Sequence, residues 1–216
     1  AINTALIAGN PRRRRVERLR AFWERVTARN LWPVPAPDGD DWRRARNLHS
    51  AFSTLLLGQP GFFRPNPTNP WLAPRGGRGA TAFYDTSPLR GTLEELVDWR
   101  LLNGGHPRVA FGAVNVETGN FAYFDSAKTE IGPEHVMASG ALPPGLPPVR
   151  VGTDWFWDGG LVSNTPLQYL LEQEGRDGLV VQVDLFPARG PLPRDMDEVL
   201  GREKDIRYSS RTRMNT

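Results

Sequence analysis

The sequence predicts an α/β sandwich, in which helices flank a central β-sheet. The first half of the chain carries apolar residues at helical spacing, and the second half alternates short strand-like runs with further helical ones. The sequence contains no internal repeat of the kind that indicates a solenoid or a propeller. At 216 residues the chain fits one large domain or two small ones, and we treat it as one.

The composition excludes several classes of protein. Hydrophobic residues make up 39% and charged residues 24% of the chain, which is typical of a globular domain. Because cysteine is absent, the chain has no disulfide framework, thiol nucleophile or cysteine-ligated metal site. No apolar run approaches the roughly 20 residues that span a bilayer, and no signal peptide opens the sequence. These features predict a soluble, cytoplasmic protein, with peripheral contact to a membrane as the one further location considered.

The charge pattern is dominated by arginine. The chain has 25 arginines, two lysines (Lys128 and Lys204) and a formal net charge of +3. Many arginines are typical of a nucleic-acid surface, but they also occur in proteins whose acidic residues are interspersed among them. No nucleic-acid-binding motif accompanies the arginines here, so we favour the second explanation and predict no nucleic-acid partner.

The first half predicts three helices. The first covers residues 1–8 and ends at Gly9, a residue type that commonly follows a helix. Asn10 and Pro11 are predicted to begin the second helix, over residues 11–28. The third covers residues 42–57. Because no cap, strand or initiator methionine precedes the first helix, we expect the sequence to begin at a cut within a longer chain.

A segment rich in glycine and proline, residues 58–80, follows the third helix. It contains five prolines and five glycines, together with Phe62, Phe63 and Trp71. Loops of this length inside a compact domain are often functional. One interpretation is a flap over an apolar substrate, in which the three aromatic residues contact acyl chains. The other is that the aromatic residues anchor the loop on the core.

The second half alternates helices and strands. Helices are predicted over residues 88–98, 133–139 and 166–172, and from residue 195 onward. Strands are predicted over residues 109–116 and 121–124, over the hairpin 149–151 and 154–157, and over the apolar run 179–186. We expect the strands at 109–116 and 179–186 to share one sheet, with the helices at 11–28, 42–57 and 88–98 packed around it.

The strongest candidate for a reacting group is Asp158. It ends the aromatic run Trp155-Phe156-Trp157 and precedes Gly159 and Gly160. A carboxyl group at the end of a buried strand is partly desolvated, which raises its pKa and makes it a better proton acceptor. The two glycines allow a sharp turn and the close approach of another chain or a substrate. The alternative is an ordinary Asp-Gly turn without a chemical role.

Three segments of the sequence carry a family resemblance together. They are residues 1–10 (AINTALIAGN), residues 137–144 (MASGALPP) and residues 157–160 (WDGG). In this order and spacing they resemble the patatin-like phospholipase family, in particular its bacterial branch with a C-terminal extension. The first is similar to the helix that follows the family's Gly-x-Ser-x-Gly nucleophile elbow. The second is similar to its Ala-Ser-x-Ala-x-Pro stretch, and the third to the Asp-Gly-Gly motif of its catalytic aspartate.

The resemblance implies both a fold and a chemistry. The fold is a three-layer, FabD/lysophospholipase-like sandwich with a mostly parallel central sheet. The chemistry is hydrolysis of lipid esters by a Ser–Asp dyad without histidine, and we expect no cofactor. The sequence contains no zinc-type or EF-hand-type cluster of metal ligands, and whether the reaction depends on a metal stays open. Asp158 takes the place of the general base, flanked by Gly159 and Gly160, and glycine-rich amides upstream stabilise the oxyanion. His49, His106 and His135 then have no catalytic role.

The nucleophile elbow does not occur among the 216 residues. The resemblance puts the serine three residues before Ala1, so that the single domain 1–216 lacks the N-terminal strand, the oxyanion loop and the elbow. It also makes residues 187–216 the start of the C-terminal extension. Ser139 and Ser163 lack the flanking glycines of an elbow.

We therefore predict a serine acyl hydrolase (a phospholipase or esterase of lipid degradation). Its expected partners are a lipid or ester substrate and the absent N-terminal segment, with transient contact to a membrane surface. The alternative is a non-catalytic fragment or pseudoenzyme that binds lipid or a partner chain. The residues that precede Ala1 distinguish the two hypotheses.

Overall fold

A computed structural model gives the architecture of the chain. The structure describes residues 1–27, 39–77, 79–165, 167–172 and 178–209. The helices are α1 (Ile2–Ala8), α2 (Arg15–Val26), α3 (Asp40–Leu57), α4 (Ser87–Leu96), α5 (Trp99–Asn103), α6 (Pro133–Ala138), α7 (Leu167–Leu171) and α8 (Met196–Tyr208). The strands are β1 (Arg64–Pro65), β2 (Tyr84–Asp85), β3 (Ala110–Asn115), β4 (Phe121–Asp125), β5 (Val149–Val151) and β6 (Asp154–Asp158). The predicted mixture of helices and strands is confirmed.

The main sheet has four strands in the order β4-β3-β6-β5, and each neighbouring pair is antiparallel. The expectation of a mostly parallel sheet is therefore wrong for the described part of the chain. Two of the three pairings are hairpins, and strands joined by a tight turn run antiparallel. Gly119 and Gly152 stand in these turns with φ angles of 71° and 61°, a region that favours glycine.

The predicted buried strand over residues 179–186 is also wrong. The segment has no regular secondary structure, and none of the described strands pairs with it. Leu179 is 92% exposed, and Val181 and Leu185 are exposed as well. An apolar run indicates a buried strand only where neighbouring elements cover it. The described elements leave most of this segment uncovered.

The hydrophobic core lies around α1. The helix contacts α2, α5 and α6, and the core also takes residues from α4 and β3. Its most deeply buried members include Ala5, Leu6, Phe22, Leu93, Leu102, Phe111 and Val136. Burial of one such leucine or phenylalanine side chain contributes about 1.5–3 kcal/mol. Since a helix of seven residues is marginal alone, packing rather than helix propensity holds α1 in place.

The junction after α1 differs from the prediction in its detail. The Asn10 side chain does not cap α2, because its amide donates to the carbonyls of Leu6 (3.0 Å) and Leu96 (2.8 Å). Asn10 thus joins the ends of α1 and α4, and a 3-10 turn, Arg12–Arg14, leads into α2. Gly9 has a φ of −85°, so the left-handed region does not explain the glycine. A Cβ there would lie 2.5 Å from Val97 Cγ1, which makes Gly9 a close-packing position.

α3 forms as predicted but does not pack around the sheet. Its apolar residues Leu48, Phe52, Leu55 and Leu56 are all exposed. The C-terminal end of α3 is attached to the rest of the molecule, because it contacts β1 and the Tyr84 hydroxyl donates to the Leu55 carbonyl at 3.0 Å. Periodicity predicted the helix correctly, but it does not report whether an apolar face is covered.

Candidate functional site

Asp158 is the last residue of β6 and is fixed through its backbone on both sides. Along one edge it pairs with Ala113 of β3. Along the other edge, β5 does not reach as far as Asp158. The Asp158 N–H therefore donates to the Ala141 carbonyl at 3.0 Å instead. Both Ala113 and Ala141 are buried. The carboxyl group therefore projects from a rigid position at the end of a central strand.

The two glycines after Asp158 have different structural roles. Gly159 is buried, and a Cβ there would lie 2.7 Å from the Gly112 carbonyl oxygen and 3.1 Å from Phe121 Cζ. No side chain fits between the turn and β3, so this position requires glycine. The Gly160 N–H donates to Asp158 Oδ1 at 2.8 Å. This bond orients the carboxyl group at the start of the 3-10 turn Gly159–Leu161.

The environment of Asp158 raises the pKa of its carboxyl group. Burial is the largest cause, and it outweighs the Gly160 N–H and the positive charge of the Ala1 amino group, both of which lower the pKa. A raised pKa makes the carboxylate more basic than an exposed aspartate. The sequence predicted this effect from the position of the residue at the end of an apolar strand.

The start of α1 faces Asp158. Burial lowers the pKa of the Ala1 amino group, while the negative charge of Asp158 raises it, so the two groups lie close enough to interact. Ala1 is exposed as a whole residue, whereas its amino nitrogen is desolvated. In a longer chain this nitrogen is a peptide N–H. The predicted orientation of the first helix toward Asp158 agrees with this arrangement.

The three segments that carry the resemblance converge at this place. The MASGALPP segment begins with the last two residues of α6, the helix that packs against α1. Ala138 and Ala141 of that segment are buried, and the Ala141 carbonyl accepts the Asp158 N–H. Segments more than 130 positions apart in the sequence are thus connected, because α1 contacts α6 and the loop after α6 binds the Asp158 N–H.

The three aromatic residues of the 58–80 segment occupy different environments. Phe62 packs against the hydrophobic core, and the Phe63 ring lies 4.6 Å from the Tyr84 ring. Trp71 is 78% exposed and touches Phe83, with ring centroids 5.3 Å apart. Among the described residues, no hydrogen bond joins any of the three to Asp158.

The segment is nevertheless tied to the loop next to Asp158. The N–H groups of Phe83 and Tyr84 donate to the carbonyls of Pro144 (3.2 Å) and Gly145 (3.1 Å). These two carbonyls belong to the loop that begins with Ala141. The 58–85 region is thus connected to the site through one loop.

The histidines and serines that the sequence analysis weighed occupy different parts of the structure. His135 is buried, its Nδ1 accepts the Gly132 N–H at 2.9 Å, and burial lowers its pKa. His49 and His106 are exposed. Ser139 ends α6, and Ser163 follows the Gly159 turn. Among the described residues no hydrogen bond joins Asp158 to a serine or histidine side chain.

One buried carboxylate escaped the sequence analysis. Asp125 ends β4, as Asp158 ends β6, and its side chain is fully buried. It accepts hydrogen bonds from the Arg108 guanidinium, from the Tyr169 hydroxyl at 2.5 Å and from the Ala127 N–H at 2.9 Å. Arg108 is the main cause that holds the pKa of Asp125 well below its usual range. Because Tyr169 belongs to α7, its hydrogen bond makes Asp125 an anchor for that helix. The two carboxyl groups differ in their pKa, which is lowered in Asp125 and raised in Asp158.

An apolar cavity lies beside the Gly112–Gly159 contact. Its volume is about 260 Å³, and its lining includes Gly112, Tyr123, Tyr169, Leu170 and Val181. The rings of Tyr123 and Tyr169 stack at 3.9 Å.

No group of three or more metal-binding side chains is present in the described part of the chain.

Comparisons with known proteins identify the family of the chain. None of the described helices is both long and apolar enough to cross a membrane. No curated protein matches the chain. The family model described as Patatin-like phospholipase matches residues 1–171, which include all three converging segments. The chain therefore belongs to the patatin-like phospholipase family, a family of lipid acyl hydrolases.

Proposed function

We propose that the chain is the part of a serine acyl hydrolase that carries the general base, Asp158, and that the enzyme cleaves carboxylic esters of lipids. One observation supports this proposal above all. A partly buried carboxyl group with a raised pKa ends a central strand and faces the start of the helix that corresponds to the one after the family's nucleophile elbow.

The proposed nucleophile is a serine in a segment before Ala1. Its hydroxyl attacks the ester carbonyl carbon while its proton moves to Asp158. The tetrahedral intermediate then releases the alcohol, which takes the proton from Asp158, and leaves an acyl-serine. In the second half, water gives its proton to Asp158 and its oxygen to the acyl carbon, and the serine recovers the proton as the fatty acid departs.

The hydrogen bonding of Asp158 suits this role. The Gly160 N–H occupies Oδ1, and among the described residues no hydrogen bond reaches Oδ2. One oxygen is thus held by the backbone, and in this proposal the other accepts the proton of the serine. Histidine is not needed, because burial already makes the carboxylate more basic than in water.

The second candidate function is that of a non-catalytic lipid- or partner-binding chain. It is favoured by one observation, since no serine among the 216 residues lies in a Gly-x-Ser-x-Gly elbow. This candidate predicts that Asp158 and its glycines are structural remnants of the family site. It also predicts binding of lipid without hydrolysis.

Covalent labelling with an alkyl fluorophosphonate separates the two candidates. The probe bonds to activated serines, and peptide mass spectrometry then gives the labelled position. We expect one labelled serine, upstream of Ala1, when the protein carries the residues that precede Ala1 in its gene. We expect no labelling of the 216-residue chain alone. Labelling of Ser139 or Ser163 would contradict the proposed nucleophile, and no labelling of either protein would favour the non-catalytic candidate.

A further inference from the structure

A hydrogen bond fixes the protonation state of His135, the third residue of α6. The Gly132 N–H, just before the helix, donates to His135 Nδ1 at 2.9 Å. Because a ring nitrogen that accepts a hydrogen bond carries no proton of its own, the imidazole is neutral with its proton on Nε2. The residue is only 8% exposed, so little water reaches the ring. The first turn of α6 is therefore closed by a histidine that must stay neutral to do so.

A second partner for the same nitrogen lies beside it. Glu134 Oε1 is 3.5 Å from His135 Nδ1, and Glu134 Oε2 accepts a hydrogen bond from Arg90 of α4 at 3.2 Å. When the ring takes up a second proton, Nδ1 becomes a donor and then faces the Gly132 N–H, which is also a donor. The Glu134 carboxylate is an acceptor within reach. Protonation therefore exchanges the backbone partner of Nδ1 for a carboxylate.

Glu134 is the charged group that acts on His135. Burial lowers the pKa of the ring, and the negative charge of Glu134 raises it. The helices and strands packed against α6 are α1, α4, β3, β5 and β6, and the ring itself also contacts β4. The other charged side chains on these elements are Arg90, Glu94, Glu95, Asp125, Arg150, Asp154 and Asp158.

Two contacts connect His135 to Asp158. The first follows the chain, because the loop directly after α6 holds the Asp158 N–H through the Ala141 carbonyl at 3.0 Å. The second crosses the sheet through the Phe124 ring, whose centroid lies 4.7 Å from that of His135 and 5.1 Å from that of Phe156. Phe156 lies two residues before Asp158 on β6, so both point to the same face of the sheet. A change at the start of α6 therefore reaches Asp158 from two directions.

We propose that neutral His135 is a positioning residue for Asp158, and that its protonation releases the start of α6 and switches off the site in acid. This inference rests on the proposed function, in which Asp158 accepts the serine proton from a fixed position. His135 does not touch the reacting atoms. It acts through the Ala141 loop and the Phe124 ring, and a displacement of about 1 Å at a reacting group costs about a hundredfold in rate.

The first test is the pH profile of kcat/KM for ester hydrolysis by the protein that carries the residues preceding Ala1. His135→Asn is the decisive variant, because the asparagine Oδ1 takes the place of Nδ1 and accepts the Gly132 N–H but does not titrate. We expect near-normal activity at neutral pH and an acid limb displaced to lower pH, where it reports the protonation of Asp158. An unchanged acid limb would overturn the proposal and assign the limb to Asp158 alone.

Two further variants separate positioning from simple packing. His135→Leu removes the acceptor, so kcat/KM should fall roughly tenfold to a hundredfold even at neutral pH. Full activity of this variant, or an equal loss in His135→Asn, would mean that the ring serves only to fill space. Glu134→Gln removes the charge that favours the protonated ring, so its acid limb should also move to lower pH. Its matched control is Glu94→Gln, because Glu94 pairs with the same Arg90, and equal shifts in both would contradict the exchange of partners at Nδ1.

A second measurement does not depend on hydrolysis and thus separates this inference from the proposed function. Nitrogen NMR of the same protein follows the protonation of the His135 ring, while the Gly132 and Asp158 amide resonances report its consequences. We expect Nδ1 to carry no proton at neutral pH. We also expect both amides to show a step together with the ring, below the ordinary histidine pKa of 6.5, and this step to be absent from His135→Asn.

The NMR outcomes decide each proposal on its own. The shared step in a protein without esterase activity would support the role of His135 while the hydrolase fails. An Asp158 amide that shows no step with the ring would overturn the role of His135 and leave the hydrolase unaffected. Circular dichroism verifies that each variant is folded, and Glu134→Gln keeps the inference testable if His135→Leu is not.

Discussion

Asp158 shows how the position of a carboxyl group in the fold can raise its pKa. The backbone is held by Ala113 and Ala141, and the side chain has the Gly160 N–H as its hydrogen-bond donor. One donor does not offset the loss of water, and the pKa rises as a result. Asp125, which is buried more deeply, accepts hydrogen bonds from three residues, and its pKa falls instead.

The raised pKa predicts that the charged Asp158 carboxylate destabilises the folded chain, and that replacement by asparagine removes this cost. The folded chain binds the Asp158 proton more tightly than the unfolded chain, so this group favours folding in acid, and that contribution is lost as the pH rises through the folded pKa. Asp158→Asn should therefore raise the melting temperature at neutral pH and have little effect below the ordinary carboxyl pKa.

Thermal unfolding at both pH values measures this effect. Asp154→Asn, at the exposed start of the same strand, is the matched control and should change the melting temperature little at either pH. A lower melting temperature of Asp158→Asn at neutral pH would mean that the charged carboxylate stabilises the fold. The residue would then be a structural one rather than a strained, functional one.

The element that carries Asp158 depends on a contact between two strands. Because Gly159 has no side chain, the turn that follows β6 can pack directly against the Gly112 backbone of β3. The pattern of two glycines after an aspartate predicted a sharp turn. It did not indicate which chain the turn approaches, because that partner is a residue almost fifty positions away.

Gly159→Ala should destabilise the protein by about 1–3 kcal/mol, because the new Cβ would lie 2.7 Å from the Gly112 carbonyl oxygen and one of the two strands must shift. Gly91→Ala is the control. Gly91 lies on α4 with no atom within 4 Å of a Cβ, so alanine there should stabilise the helix by up to about 1 kcal/mol. Chemical denaturation measures both, and equal effects would contradict the close-packing role of Gly159.

At the scale of the whole molecule, sequence periodicity predicted the individual helices and hairpins better than it predicted how the elements pair and pack. The helices at α2, α4 and α6 and both hairpins were predicted close to their observed bounds, because their apolar spacing and turn residues are local signals. The parallel sheet and the strand at 179–186 were wrong, since pairing and burial depend on distant neighbours. The candidate site was predicted from motifs, which named Asp158 but gave no signal for the Asp125 anchor.

The most direct test is the rate of ester hydrolysis by the protein that carries the residues preceding Ala1, with and without Asp158→Asn. An amide keeps the shape of the carboxyl group and its bond to the Gly160 N–H, but it does not accept the serine proton. General-base assistance is worth about a hundredfold to ten-thousandfold in rate. We expect a loss of at least that order in Asp158→Asn and near-normal activity in Asp154→Asn. Full activity of Asp158→Asn, with the fold intact, would contradict the assignment of Asp158 as the base.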